Sequence, residues 1–299
     1  MKILVSDTLA PEALEKLHST EGFEVQVKTG MSPDELKQVI RDKDALIVRS
    51  ATKVTKEILE SAENLKVIAR AGVGLDNVDV ETAKSKGIQV VNTPGGTSIS
   101  VTELALALML ATARHIPRAD LSLKKGLWEK KKLGGVELYG KTLGIIGLGR
   151  IGSAVAERAR AFGMKIIAYD PYVKEAAHRL VSLDELLADS DYVTIHIPLT
   201  AETSNLLSKA QFDTMKTGAV LINCARGGIV DEEALYEVLS NGKLRYAAFD
   251  VFKNEPPFPT KLLELDNFIA TPHIGASTRE GQVRVGVEAA EKVIQILRR

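Results

Sequence analysis

The chain has 299 residues, with 39 Lys and Arg against 39 Asp and Glu and a single cysteine, Cys224. That length exceeds what one hydrophobic core usually organises and points to two domains. Zero formal charge gives no overall pull toward nucleic acid or an anionic membrane, and one cysteine excludes an internal disulfide and fits a reducing compartment. The opening "MKILVSDTLA" is too short in its apolar part for a signal peptide, and "LALALMLATA" at 104–113 is too short for a membrane span. A cytoplasmic protein is expected.

The first ninety-odd residues alternate strand and helix. Short β-branched runs at 2–6, 23–27, 45–49, 65–70 and 88–92 are separated by helical patterns at 11–19, 32–40, 55–62 and 79–87. Ser32 before Pro33, with Glu35 three residues on, marks a helix start; Gly87 marks a stop. Such alternation implies a parallel sheet covered on both faces, with ligands outside the carboxyl ends of its strands. Arg49-Ser50, Arg70-Ala71-Gly72 and Asn92-Thr93-Pro94 stand at those ends. Two guanidinium forks at one edge suit a small molecule bearing carboxylate or phosphate. Alternatively, each caps a helix or pairs with a surface acid.

An apolar helix at about 98–115 follows, of the kind buried between domains or subunits. Pro117 and the basic turn "KKGLWEKKK" (124–132) come next. Those lysines are either a solvated face or a contact to an anionic substrate, in this chain or a neighbouring subunit.

A second alternating series begins at 142. "TLGIIGLGRIG" reads as a strand, a tight turn and a helix start, followed by the helix "SAVAERARAF" and the strand "KIIAYD". In this context Gly147, Gly149 and Gly152 form a dinucleotide fingerprint. Gly147 permits the turn, Gly149 lets backbone approach the pyrophosphate, and Gly152 lets helix and strand pack closely. The helix N-terminus adds N–H groups and partial positive charge. Asp170 ends the next strand, where it accepts the ribose hydroxyls and repels a 2′-phosphate, so the expected cofactor is NAD rather than NADP.

Later strands at 192–197, 219–225, 246–252 and 267–272 lead to Pro198, Arg226, Glu255 and His273. Their termini line one edge beside the nicotinamide, where His196, Cys224 and Ala276 also fall. Arg226, Glu255 and His273 have a joint chemical logic. Oxidising a hydroxyl sends a hydride to the nicotinamide and a proton to a base. His273 titrates near neutrality, Glu255 orients its far nitrogen, and Arg226 holds the substrate carboxylate and polarises the carbonyl. His196 lines the cofactor pocket instead of transferring a proton. His18, His115 and His178 read as surface residues on helices. Cys224 lacks a base beside it and packs as a small apolar group. No metal is expected.

"GLGRIG", "NCARGGIVDEEAL", "FDVFKNEPP" and "TPHIGAST" together resemble the D-isomer-specific 2-hydroxyacid dehydrogenases. "VRSATKVT", "RAGVGLDNVDV", "NTPGGTSISVTELALALML" and "WEKKK" narrow the resemblance to members acting on a phosphorylated 2-hydroxy acid, 3-phospho-D-glycerate. The resemblance implies an α/β protein of two doubly wound parallel-sheet domains. A Rossmann NAD-binding domain, residues 95–276, is inserted into a discontinuous flavodoxin-like substrate domain, residues 1–94 plus 277–299. It implies the same triad, substrate contacts from Arg49, Ser50, Thr52 and Arg70, and backbone at Val73 and Gly74 facing the substrate carboxylate. Arg150 and Ile151 then lie on the pyrophosphate, and Ala225 and Asp250 near the nicotinamide. The basic turn reaches a neighbour's substrate phosphate through one of Lys130, Lys131 and Lys132, with Lys131 the central candidate in a homodimer. Closure of the two domains would expel water from the reacting groups.

Two departures from the family pattern stand out. Long members carry C-terminal domains that bind serine, and this chain stops at Arg299, so insensitivity to serine is expected. The connection at 169–187 is short, without the family's glycine and short strand. Three readings remain: oxidation of phosphoglycerate, a related dehydrogenase acting on an unphosphorylated acid such as hydroxypyruvate, glyoxylate or D-lactate, and an NAD-sensing protein resembling the C-terminal-binding-protein corepressors.

Overall fold

The computed structural model describes residues 1–298; Arg299, placed by the sequence in the final helix, lies outside the described residues. The chain divides into two compact units: Met1–Ser98 with the segment from Ala276 onward, and Ile99–Gly275.

The first unit runs β1 (Lys2–Val5), α1 (Pro11–His18), β2 (Glu24–Val27), α2 (Pro33–Val39), β3 (Ala45–Val48), α3 (Lys56–Ser61), β4 (Val67–Arg70), α4 (Val80–Ser85) and β5 (Gln89–Asn92). The five strands are parallel in the order β2-β1-β3-β4-β5, which is the doubly wound, flavodoxin-like arrangement. Ile3–Val5 and Ala45–Val48 are buried throughout, as strands covered on both faces must be, whereas β2 at the edge is mostly exposed. Ser32 caps α2 through a reciprocal capping box with Glu35, the start expected from its sequence.

The second unit opens with α5 (Ser98–Arg114), whose Val101, Ala105, Leu108, Met109 and Ala113 are buried in one of its hydrophobic clusters. A second helix that the sequence reading did not assign, α6 (Ile116–Lys124), follows it, bent by 64°. His115 between them adopts a left-handed backbone (φ 54°), which breaks the first helix. Pro117 then sits in the first turn of the new one, where its missing N–H leaves no bond unmade. His115 is half-buried and tethered: its Nδ1 lies 2.9 Å from the Tyr246 hydroxyl and its Nε2 3.1 Å from the Gly134 carbonyl. His178 lies outside any helix, and His18 ends α1 exposed.

The unit continues with β6 (Thr142–Ile146), α7 (Arg150–Ala161), β7 (Lys165–Tyr169), β8 (Arg179–Leu180), α8 (Leu183–Asp189), β9 (Tyr192–Ile195), α9 (Lys209–Thr214), β10 (Ala219–Asn223), α10 (Glu232–Ser240), β11 (Leu244–Phe249) and β12 (Phe268–Ala270). Seven parallel strands are ordered β12-β11-β10-β9-β6-β7-β8. The short strand that the 169–187 connection was expected to lack is present as β8, pairing with β7, and the Val181 N–H donates to the Ala168 carbonyl at 2.9 Å beyond it. Two residues suffice for the pairing, which is why no strand-like run betrays it.

The chain then returns to the first unit as α11 (Arg279–Leu297), where Val285, Ala289, Ala290, Val293 and Leu297 join Ile3, Val5, Ala13, Leu17, Ile47 and Val67 in one core. Among the described residues no single helix is long and apolar enough to cross a membrane.

Candidate active site

The strand order of the second unit sorts its chemistry along one edge. The strand order reverses between β6 and β9, and ligands of doubly wound sheets settle at the carboxyl ends beside such a reversal. On one side of it stand Gly147 after β6 and Asp170 after β7. On the other stand His196 after β9, Arg226 after β10, Asp250 after β11 and His273 after β12.

The glycine turn has the geometry a pyrophosphate requires. Gly147 takes φ +97°, and a Cβ on Gly152 would lie 1.9 Å from the Gly147 carbonyl oxygen. Gly149 caps the start of α7, and no atom comes within 4 Å of where its Cβ would stand. A phosphate therefore has room at the helix N-terminus, where free N–H groups point outward. Arg150 is exposed and Ile151 half-buried at the same turn. Asp170 is held in place by N–H donors from Leu148 (2.9 Å) and Tyr172 (3.0 Å), one to each oxygen. Each carboxylate oxygen keeps a lone pair for a ribose hydroxyl. These residues fit NAD: Asp170 would hold the adenosine ribose, and the Gly147–Gly152 turn the pyrophosphate.

Glu255 and His273 stand on the other side of the reversal. Glu255 Oε2 lies 2.7 Å from His273 Nδ1, and Glu255 Oε1 accepts from the Phe252 N–H at 3.1 Å. The carboxylate is thus fixed before it fixes the imidazole. Its bond to Nδ1 leaves Nε2 of a neutral ring as the acceptor. His273 itself sits at φ +52°, on a turn gathered by Asp250. That carboxylate is 1% exposed and accepts from Thr271 Oγ1 (2.6 Å), Ile274 N–H (2.8 Å) and Gly275 N–H (2.7 Å). Asp250 is therefore engaged with the histidine turn, while Ala225 and Ala276 are half-buried and Pro198 is exposed. Arg226 is half-buried, with Nη1 donating to the Ala225 carbonyl at 2.8 Å.

Two neighbouring groups are silenced by burial. His196 Nδ1 is buried without a partner, Nε2 meets Thr194 Oγ1 at 2.9 Å, and desolvation draws its pKa down to about 4. It is neutral at pH 7 and is not the acid of a proton relay. Burial, and then the charge of Asp250, push the Cys224 thiol far up, so it is no nucleophile.

In the first unit the Asp7 carboxylate organises the turn after β3. It accepts from Arg49 N–H (2.5 Å), Thr52 N–H (3.2 Å) and Thr52 Oγ1 (2.8 Å). Asn77 Nδ2 ties the same turn through the carbonyls of Arg49 (2.7 Å) and Thr52 (2.6 Å). Sequence reasoning missed both residues, although Asp7 follows β1 as Arg49 follows β3. A crevice of about 350 Å³ opens there, lined by Asp7, Thr8, Thr29, Gly30, Arg49 and Ser50. It lies at the β1/β3 reversal of this sheet. Arg70 ends β4, and the carbonyl of Val73, beside Gly74, accepts from Asn92 Nδ2 at 2.5 Å. Lys131 belongs to an exposed turn of 3₁₀ helix, Lys130–Lys132, in the second unit.

Residues 106–275 match the sequence profile of the D-isomer specific 2-hydroxyacid dehydrogenase, NAD binding domain. The chain is 53% identical to a D-3-phosphoglycerate dehydrogenase of Methanocaldococcus jannaschii, over 100% of its own length and 58% of that protein. It is 54% identical to a hydroxypyruvate reductase of Thermotoga maritima, over 99% of its own length and 98% of that protein. The chain thus spans little more than half of the phosphoglycerate dehydrogenases it matches. The crystal structure of the TT0316 protein from Thermus thermophilus superposes with a TM-score of 0.94 at 40% identity, covering 100% of this chain and 97% of that one.

Proposed function

We propose that this chain, which belongs to the D-isomer-specific 2-hydroxyacid dehydrogenase family, oxidises 3-phospho-D-glycerate to 3-phosphooxypyruvate with NAD, the first step of L-serine biosynthesis. The observation that carries the reaction is the 2.7 Å pairing of Glu255 with His273 at the strand edge that also bears Arg226 and the glycine turn. Asp170 and the Gly147–Gly152 turn would hold NAD, whose nicotinamide would accept the hydride. His273 Nε2 takes the proton of the substrate hydroxyl, and Glu255 stabilises the imidazolium that results. Arg226 binds the substrate carboxylate through its planar fork and polarises the oxygen that becomes the ketone. In the reverse direction the same imidazolium returns its proton.

Substrate binding is assigned to the first unit, with Arg49, Ser50, Thr52 and Arg70 as its polar contacts and Val73-Gly74 as backbone donors. The crevice beside Arg49 supports a phosphorylated substrate. A second reading, reduction of hydroxypyruvate or a similar unphosphorylated acid, is supported by the Thermotoga maritima relative, whose identity exceeds that of the archaeal one by a single point. We place the enzyme in the cytoplasm as a homodimer. Leu110, Ile116, Leu121, Leu123, Leu127 and Trp128 are exposed along α5, α6 and the turn after them, an apolar run that a second copy would cover and that would carry Lys131 with it.

NADH formation from NAD with 3-phosphoglycerate, beside glycerate, D-lactate and 2-hydroxyglutarate, tests the reading. Preference for the phosphorylated acid, abolished in His273→Ala, is expected. In Arg49→Ala the KM for phosphoglycerate should rise at least tenfold more than that for an unphosphorylated acid, about the value of one charge-assisted contact. Equal effects on both acids would discard the phosphate assignment. NADH binding without any turnover would favour a sensor.

A further inference from the structure

We propose that Asn223 is the positioning residue for Arg226, an inference that rests on the dehydrogenase reading above. Asn223 ends β10, between β9 and β11, and is fully buried. Its Oδ1 accepts from the Ala225 N–H at 3.0 Å and its Nδ2 donates to the Arg226 carbonyl at 3.0 Å. Since an N–H faces one end of the carboxamide and a carbonyl the other, only one orientation of the amide satisfies both. The two bonds grip the backbone before and after the arginine, so the guanidinium departs from a fixed root.

The far side of the turn is held as firmly. A Cβ on Gly227 would lie 1.9 Å from the carbonyl carbon and oxygen of Phe252, so the arginine turn abuts the segment that leads to Glu255. The main chain of Asn223 reaches toward the histidine as well. Its carbonyl accepts from the Asp250 N–H at 2.9 Å, and the Asp250 carbonyl accepts from the His273 N–H at 2.8 Å. One buried asparagine thus stands at the root of both turns: through its side chain for the arginine, and through one intervening residue for the histidine. No other residue type supplies a donor and an acceptor at that reach. Serine keeps a hydroxyl for the i+2 N–H but cannot also reach the i+3 carbonyl, and alanine does neither.

The test compares Asn223→Ala and Asn223→Ser with wild type, using whichever 2-hydroxy acid the wild type turns over, alone and in an Arg226→Ala background. Asn223→Ala should lower kcat/KM by about 10²-fold, the scale of a 1 Å misplacement at a reacting centre. NADH affinity should stay within about twofold, and Asn223→Ser should recover part of the loss. In the Arg226→Ala background the same substitution should cost less than about threefold, because residues acting as a unit are not additive. Full additivity overturns the proposal, and so does a loss of NADH affinity in step with kcat/KM. If the wild type turns over no hydroxy acid, the dehydrogenase reading fails by itself. The crystal structure of Asn223→Ser then decides the positioning claim, which is refuted if residues 224–228 superpose on wild type without displacement of Arg226.

Discussion

Gly152→Ala probes the cofactor site most directly, because the structure fixes how far atoms must move. The added Cβ would stand 1.9 Å from the Gly147 carbonyl oxygen and 3.2 Å from Ile145 Cγ2. The first contact is with backbone, so no side chain can swing aside. Restoring even a ~3.0 Å separation moves the start of α7 away from β6 by ~1 Å, since side-chain carbons do not approach oxygen more closely in packed interiors. N–H groups placed ~2.9 Å from a pyrophosphate oxygen would then lie at about 4 Å, beyond hydrogen bonding. Losing two charge-assisted bonds costs about 3–6 kcal/mol, or ~10²–10⁴ in affinity. Overpacking should lower global stability by only about 1–3 kcal/mol. The assay is titration of NADH fluorescence, with urea unfolding of the same sample as control. An NADH Kd within threefold of wild type, in a protein that still unfolds cooperatively, would refute the assignment of this turn to the pyrophosphate.

Glu255→Gln keeps the acceptor for the Phe252 N–H but can present an NH₂ to His273 Nδ1. The proton then shifts to Nε2, the imidazole cannot accept another, and kcat for oxidation should fall by about 10²–10⁴ with little change in NADH affinity. An unchanged kcat in steady-state assays would remove Glu255 from the mechanism. His196 predicts an acid sensitivity of the fold. Burial lowers its native pKa to about 4, whereas the unfolded chain takes up the proton near its ordinary value of 6.5. Stability from this ring is complete above that value and is lost as pH falls toward 4, by at most ~3 kcal/mol and less where the half-buried residue meets water. Urea unfolding of wild type and His196→Gln between pH 7 and pH 4.5 should show the shallower dependence in the variant. Parallel curves would mean that the ring does not stay neutral.

Much of this architecture is legible in the sequence because alternation of β-branched runs with amphipathic helices leaves little choice of fold. The glycine turn, Asp170, Arg226, Glu255 and His273 follow strand ends, and the sheet order alone brings them to one edge. The residues that hold them are another matter. Asp7, Asn223 and Asp250, which are buried, and the half-buried Asn77 differ from other polar residues in being doubly or triply bonded, and burial of a loop side chain has no period to detect. Asp250 lies within a motif of the family resemblance and is visible for that reason, but nothing in the motif reveals its engagement with the 271–275 turn. Pro117 leaves α6 unassigned in the sequence for a different reason. A proline ends one helix and begins another with equal ease, and only the left-handed His115 before it distinguishes the two.

The placement of α11 has a consequence for how the polypeptide matures on the ribosome. Five of its residues complete the core formed with Ile3, Val5, Ala13 and Ile47, yet the whole segment 99–275 is translated between them. The unit encoded in the middle can therefore reach its native state first. The strands made earliest must wait with one apolar face uncovered for more than 170 residues of synthesis, which at ~5–20 residues per second is of order ten seconds or longer. Ribosome-bound chains that end just before residue 279 and continue in an unstructured linker long enough to clear the exit tunnel should accordingly bind NADH while still recruiting a chaperone to their N-terminal third.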